Sequence, residues 1–254
     1  MADTEVPVSP EQLAAILSKV TPGAVLVGGQ ALAFWVAHYD IARPPRLVGA
    51  ISDDADFLGT RADVEAIARG VGGRSVYPPT RAITALIGQV EIPVAAGEYV
   101  NVDVLHRLVG LDGDQVRDHA AEVELNGVVF QVMHPMDVLQ SRVANLATID
   151  DKQNEQGVEQ TRMALQVARA YIAEIAAIPE QGQRHATKLI EHVVTLARSG
   201  SGQRVARDFG IEFLTALPRQ VITAEAFHAR RWPQIVEALG AATQKPAPKE
   251  PSDS

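Results

Sequence analysis

The sequence has no cysteine among its 254 residues. That absence removes disulfide frameworks, thiol nucleophiles, Cys-ligated zinc and iron–sulfur clusters together, and it suits a reducing compartment. Aromatic residues are scarce at 5%, too few for the stacking platform of a single-strand binder. Positive charge is in deficit. Twenty-three Lys and Arg face thirty-one Asp and Glu, leaving a formal charge of −8, where nonspecific nucleic-acid binding usually asks for the opposite balance. No apolar run reaches the roughly 18 residues of a membrane span. Met1 to Pro10 is acidic and lacks the basic and apolar blocks of a signal peptide. The expectation is a soluble, cytoplasmic chain with no membrane partner. H-E-x-x-H, G-x-S-x-G and C-x-x-C are also missing, and there is no internal repeat.

What is present divides the chain by texture. Residues 1–9 read as a flexible N-terminus. Ser9-Pro10 then reads as an N-cap with proline at the first helical position, and Leu13, Ile16, Leu17 and Val20 supply an apolar helical face. Ala24 to Val27 reads as a short buried strand ended by Gly28-Gly29, and Gln30 to about Tyr39 as a helix. Thr60 is placed to cap a helix that Gly72-Gly73 closes. Strand-like runs follow around Ser75–Tyr77, Ala82–Val94 and Tyr99–Leu105. Two more, ending near Met133, are separated by Asn126-Gly127, a strong hairpin signal. Residues 10–134 therefore read as an α/β (α+β) domain around a mixed sheet. Helical patterns fill 135–240, read as a helical domain, and Ser199-Gly200-Ser201-Gly202 reads as a flexible turn. The Pro-, Lys- and Ser-rich tail 241–254 reads as disordered.

The chemistry concentrates in Ser52-Asp53-Asp54-Ala55-Asp56-Phe57. In a strand, Asp54 and Asp56 point to one face about 6.6 Å apart while Ala55 and Phe57 point to the other. Two carboxylates so placed can converge on divalent ions, since paired catalytic metals sit about 3.5–4 Å apart. Enclosing two like charges is costly unless cations or donors are present. A third carboxylate, Asp103, stands alone in the apolar run Tyr99–Leu105. Val102, Val104 and Tyr99 are expected on one side of that run and Asp103 on the other. The plain alternatives are a solvated, helix-capping acidic loop and an exposed edge strand. Upstream, Gly28-Gly29 between a strand and a helix permits close backbone approach and leaves amides for a phosphate at the helix entrance. A tight turn is the simpler role for them. The segment is neither G-x-G-x-x-G nor a Walker A loop.

Taken together, Val27-Gly28-Gly29, Ser52-x-Asp54-x-Asp56 and the later Asp103 resemble the nucleotidyltransferase superfamily related to DNA polymerase beta. The likeness is nearest its bacterial branch of AbiEii-type toxins and minimal nucleotidyltransferases. Gln30-Ala31-Leu32 and the approach through Val132-Met133-His134-Pro135-Met136-Asp137-Val138-Leu139 add to it, so that it covers roughly residues 20–150. The resemblance implies a nucleotidyltransferase-like α/β domain followed by helices, and a Mg²⁺- (or Mn²⁺-) dependent enzyme using a nucleoside triphosphate. Asp54 and Asp56 would hold the metal that carries the triphosphate. Asp103 would share a second metal and help activate the acceptor hydroxyl, and Gly28, Gly29 and Ser52 would hold phosphates. The acceptor would be a tRNA, a protein or a small molecule, and the toxin branch works beside an antitoxin protein. That branch often carries a Lys in the helix after the His-Pro turn, where this chain has Leu139-Gln140-Ser141-Arg142-Val143. Arg142 is then the candidate for the phosphate charge, although a fixed fork differs from a mobile ammonium. Retained catalysis and a catalytically silent nucleotide-sensing or protein-interaction role both follow from this pattern.

The seven histidines read as surface or packing residues. His185 and His192 are two helical turns apart, about 10.5 Å, too far for joint ligation. Arg43 and Arg46, in the loop before the acidic strand, read as solvated unless they reach a substrate phosphate or base.

Overall fold

The computed structural model describes residues 4–44, 51–52, 54–125 and 127–240. Among them an eight-stranded mixed sheet is threaded by helices. Strand β1 is Thr4–Glu5, and helix α1 (Pro10–Leu17) opens with a capping box. Gln12 N–H donates to Ser9 Oγ (3.2 Å), while Ser9 N–H donates to Gln12 Oε1 (2.8 Å). Next come β2 (Val25–Val27), α2 (Gly28–His38), β3 (Ala55–Leu58) and α3 (Arg61–Val71). The Asp63 carboxylate accepts from both the Thr60 N–H and the Thr60 hydroxyl at the start of α3, and Gly72 ends it with φ +70. Strands β4 (Arg74–Val76), β5 (Leu86–Ala95) and β6 (Glu98–Leu105) follow. Then come α4 (Gly113–His119) and the hairpin β7 (Ala121–Leu125) and β8 (Val128–Val132). The strand order is β4-β5-β6-β3-β2-β8-β7, with β1 added beside β6. Pairing of β3 with β6 and of β2 with β8 is parallel, and β2–β3, β4–β5, β5–β6 and β7–β8 are antiparallel.

Strand alternation gives the sheet two chemically different faces. Val100, Val102 and Val104 of β6 share a face with Ala55 and Phe57 of β3, and all five are fully buried. The opposite face takes Tyr99, Asn101 and Asp103. Tyr99 thus sides with Asp103, against the sequence expectation, because 99 and 103 have the same parity along one strand. The segment expected to be a flexible N-terminus also departs from that reading. Thr4 N–H donates to Gly97 O (2.8 Å) and Val6 N–H to Tyr99 O (2.9 Å), so residues 4 and 5 extend the sheet.

After Pro135 the chain is helical: α5 (Pro135–Thr148), α6 (Glu155–Ala176), α7 (Gly182–Arg198), α8 (Gly200–Phe209) and α9 (Trp232–Gly240). A π-type turn at Phe227–Arg231 leads into α9. Ser199 to Gly202 is not a loose turn but the start of α8, with Ser199 Oγ accepting from Gly202 N–H (3.1 Å). A side chain at 202 would put its Cβ 2.1 Å from Leu196 O, so that glycine lets α7 and α8 join closely. Helix α4 had no sequence signal beyond its Asp112 cap. The tail 241–254 lies outside the described residues.

The two halves do not fold around separate cores. Helix α2 packs on α5 and α6 as well as on β3, and one hydrophobic cluster runs from Ile16 and Leu26 through Leu139 and Met163 to Ile190 and Ile235. At the junction, Trp35 Nε1 of α2 donates to Met133 O (2.8 Å), while Met133 N–H donates to Leu26 O (2.9 Å). No helix among the described residues is long and apolar enough to cross a membrane.

Candidate functional site

Parallel pairing of β3 with β6 sets Asp56 directly opposite Asp103. On its other side Asp56 faces Val27, the last residue of β2, and Asp103 faces Gln89 of β5. Two carboxylates thus stand side by side on the polar face, about 4.8 Å apart along the hydrogen-bonding direction. Asp103 is held from two directions, with Gln89 Nε2 (2.9 Å) and Asn101 Nδ2 (2.8 Å) both donating to its Oδ1. Burial raises the Asp103 carboxyl above its ordinary value against those two bonds, and the Asp54 charge adds to the rise. Asp56 is pushed up to about 7, first by burial and then by the Asp103 charge, with Arg142 and Lys152 pulling the other way.

Asp54 is not in the strand. Strand β3 begins at Ala55, and Asp54 sits in the bend before it, so alternation does not fix its direction as the sequence pattern suggested. Its charge nonetheless reaches both Asp56 and Asp103. A residue that sequence reading passed over joins the group: the pairing of β1 with β6 sets Glu5 beside Tyr99. Its carboxyl is pushed up to about 7, chiefly by the Asp54 side chain and by burial, with the charge of Asp103 adding to the rise. Asp53 lies outside the described residues.

Gly28 and Gly29 bring the start of α2 against this group. Gly28 adopts φ +66, and a Cβ there would lie 2.0 Å from Asp56 Oδ2. A Cβ on Gly29 would lie 2.3 Å from the Ser52 Cβ. Only glycine permits both approaches, so the positive end of the α2 dipole sits beside the acidic pair. The Ile51–Ser52 stretch is pinned from two helices. Gln30 Nε2 donates to Ser52 O (3.0 Å), and Gln160 Nε2 donates to Ile51 O (2.7 Å).

Arg142 is 8% exposed and does not offer a free fork to a ligand in solution. Its Nη1 donates to Gln160 Oε1 (3.2 Å), and its charge acts on Asp56. Burial lowers its pKa, with Asp56 opposing. Among the described residues its Nε has no hydrogen-bond partner, and neither does Asn101 Oδ1, although Asn101 is only 6% exposed. Lys152 is exposed in the turn after α5 and also adds positive charge near Asp56. The site therefore combines four carboxylates, a buried guanidinium, one outlying ammonium, a helix N-terminus and two buried polar atoms awaiting partners. Such a donor set suits a divalent cation with phosphate oxygens. Asp54, Asp56 and Asp103 would hold the ion, Gly28 and Gly29 amides the phosphate. Among the described residues no three His, Asp or Glu side chains are already drawn in on a single metal position.

A cavity of about 700 Å³ lies beyond Gln30 and Ser52, walled mostly by apolar side chains such as Leu13, Phe34 and Phe130, with Arg43 on its lining. Arg46 lies outside the described residues. Away from the acidic face, His134 caps α5: its Nδ1 accepts from Met136 N–H (3.2 Å), which leaves Nε2 to donate to Tyr171 Oη (2.8 Å). Burial lowers His134 to about 4, with the charges of His119, His185 and His192 adding to the effect. His185 and His192 are exposed on α7.

The residues sequence reading missed are Glu5, Gln89, Asn101, Lys152 and Gln160. Gln160 carried a usable signal, being a polar residue on the core-facing stripe of α6 beside Met163 and Ala164. Glu5 carried none, since two residues of strand in an acidic leader have no period to read.

No family model matches the chain, and no curated protein matches it. Among solved structures, the crystal structure of JHP933 from Helicobacter pylori superposes with a TM-score of 0.41 and 11% sequence identity, covering 93% of this chain and 100% of that one. A superposition this loose supplies no functional argument.

Proposed function

We propose that this chain is a metal-dependent nucleotidyltransferase, resembling the polymerase-beta-related superfamily and its AbiEii-like branch. It would move a nucleoside monophosphate from a nucleoside triphosphate to a hydroxyl. The observation that carries this reading is the cross-strand pair Asp56–Asp103 with the Gly28 backbone against Asp56. Carboxylates placed at a helix N-terminus repel a phosphate unless a cation lies between them, and with one they become its seat. A bound Mg²⁺ or Mn²⁺ supplies charge neutralisation of the triphosphate and eases deprotonation of the acceptor hydroxyl.

The chain's own groups divide the remaining work. Asp54 and Asp56 anchor the triphosphate end, and the Gly28 and Gly29 amides, with Ser52 beside them, orient its oxygens. Asp103, fixed by Gln89 and Asn101, faces the acceptor and takes up its proton as the hydroxyl oxygen bonds to the α-phosphorus. The bond from that phosphorus to the bridging oxygen breaks, and pyrophosphate leaves. Arg142, buried and bonded to Gln160, steadies Asp56 through its charge and does not itself grip phosphate, a role that falls to more exposed cations such as Lys152. A tRNA, a protein or a small molecule would be the acceptor, and an antitoxin-like protein a partner if the toxin branch is the right comparison.

Calorimetric titration of ATP, GTP, CTP and UTP with Mg²⁺ tests this, comparing wild type with the Asp54→Asn, Asp56→Asn double variant. Metal-dependent binding by wild type, lost in the variant, is expected. A folded wild-type protein that takes up no triphosphate with Mg²⁺ or Mn²⁺ would sink the reading. The buried, already bonded Arg142 favours one second reading, a member that binds nucleotide without turning it over. Binding without pyrophosphate release across a panel of acceptors would select it.

A further inference from the structure

Two consecutive carbonyls ahead of the acidic strand are held by glutamines from different halves of the chain. Gln160 Nε2 of α6 donates to Ile51 O (2.7 Å), and Gln30 Nε2 of α2 donates to Ser52 O (3.0 Å). The Gln160 amide is not free to turn over. Arg142 Nη1 donates to its Oε1 (3.2 Å), and a guanidinium offers no acceptor, so the amide nitrogen must face Ile51 O. Arg142 and Gln160 are both buried. The segment so held carries Ser52 against the start of α2, where a Cβ on Gly29 would lie 2.6 Å from Ser52 Oγ. Gln30 belongs to that same helix. Gln160 does not, and it ties Ser52 to the helical half.

We propose that Gln160 is a positioning residue for the phosphate seat, acting through the Ile51 carbonyl to keep the Ser52 hydroxyl at the entrance of α2. The inference rests on the reading that Ser52 and the Gly28 and Gly29 amides receive phosphate oxygens. A hydroxyl serves such an oxygen only while its backbone stays in place, because an O–H···O bond holds over about 2.5–3.0 Å and weakens steeply as its angle closes. The helical half then sets nucleotide affinity through one amide, and Arg142 is the group that aims it.

The test is a double-variant cycle on the full chain, read as calorimetric affinity for Mg²⁺–ATP. Gln160→Glu keeps an acceptor for Arg142 but lacks the amide donor to Ile51 O, and its carboxyl stays ionised beside the guanidinium. It should weaken binding about tenfold or more, as Ser52→Ala should, the worth of one hydrogen bond to a charged group. The double variant should stay within about twofold of Ser52→Ala, because both changes act through one hydroxyl. Losses that multiply overturn the proposal, and so does unchanged affinity in Gln160→Glu. Gln160→Met, similar in length and without the donor, serves the same cycle if Gln160→Glu does not fold. Thr161→Val removes the neighbouring bond to Gly157 O (2.8 Å) inside α6. It should lower the melting temperature and leave affinity within about twofold of wild type. A Thr161→Val protein that binds as weakly as Gln160→Glu assigns the effect to general loosening of α6 and overturns the proposal. If folded wild type binds no triphosphate, the phosphate reading of the site fails and takes this inference with it. Wild-type binding that is indifferent to Gln160 refutes the inference alone.

Discussion

Replacing Asp56 with asparagine should stabilise the metal-free protein near neutral pH and leave it almost unchanged in acid. The Asp56 carboxyl ordinarily ionises at 3.8, and in the fold at about 7, with burial the first cause and Asp103 the second. A tenfold change in proton affinity is worth about 1.4 kcal/mol, so carrying an ionised Asp56 costs the fold at most about 4 kcal/mol above pH 7. The native state binds the proton more tightly than the unfolded chain. The Asp56 contribution is therefore fully present below about pH 4 and is lost as pH rises to about 7. Partial exposure and relaxation bring the expected gain in Asp56→Asn to about 2 kcal/mol. For a chain of this size that is a rise of roughly 4–8 °C in melting temperature at about pH 8. The assay is thermal unfolding in EDTA at about pH 4.5, 6 and 8. The quantity to follow is the difference between the two proteins, because His134 acts with the opposite sign in the same window. Depressed from 6.5 to about 4, His134 costs stability as pH falls through that range, in both proteins alike. Adding Mg²⁺ should narrow the gap at about pH 8, since an ion that binds the native wild type stabilises it by mass action. An Asp56→Asn protein that melts below wild type in EDTA at about pH 8, or a difference that ignores pH, would refute the electrostatic account.

Gly28→Ala should abolish Mg²⁺–nucleotide binding. It forces a Cβ into Asp56 Oδ2 at 2.0 Å and a non-glycine residue into φ +66. The left-handed conformation alone costs about 1–2 kcal/mol, and titration calorimetry with denaturant melts reads both effects. Gln160→Leu should cost about 3 kcal/mol in denaturant unfolding, because it strips bonds from the Arg142 guanidinium and from Ile51 O while leaving both in place. A loss below about 1 kcal/mol would mean that water replaces it. His134→Asn keeps a capping side chain on α5 but removes the buried imidazole. It should therefore hold its melting temperature from about pH 6.5 down to about 4.5 better than wild type does, and equal sensitivity of the two proteins would contradict the assignment of a neutral His134.

The mixed α/β order, the helical second half and most strand positions are legible in the sequence because they rest on period. Val102, Val104 and Phe57 announce a buried face by alternation, and Ser9-Pro10 announces a helix start by the chemistry of its cap. Proximity in the sheet is a different matter. Nothing in the residues themselves says that β3 pairs with β6 in the register that opposes Asp56 to Asp103, since strand order is set by the whole topology. Boundaries fail for a local reason. Alternation read one residue past the strand gives Asp54 a direction the bend denies it. Bulk puts Tyr99 with the valines, where parity puts it with Asp103. Ser199 to Gly202 has the composition of a turn, but its glycines answer to packing, since the carbonyl of Leu196 leaves no room for a Cβ.

Arg142 shows how the missing half of the information changes chemistry. In sequence it is a cation in the right neighbourhood for a phosphate. In the fold it is buried and bonded to Gln160 of α6, and its charge acts on Asp56, so it serves the carboxylate. Gln160 then links that guanidinium to the carbonyl of Ile51, just ahead of the acidic strand. The helical half is thus more than a neighbour of the sheet. It supplies the buried positive charge that opposes the rise of the Asp56 carboxyl, and it pins the Ile51–Ser52 segment ahead of Asp54. One charge that cannot leave, and carboxylates still lifted toward neutral pH despite it, make a site whose electrostatics remain incomplete with the chain alone. On the proposed reading a second, exchangeable cation would complete it, which is the physical reason for placing the proposed function there.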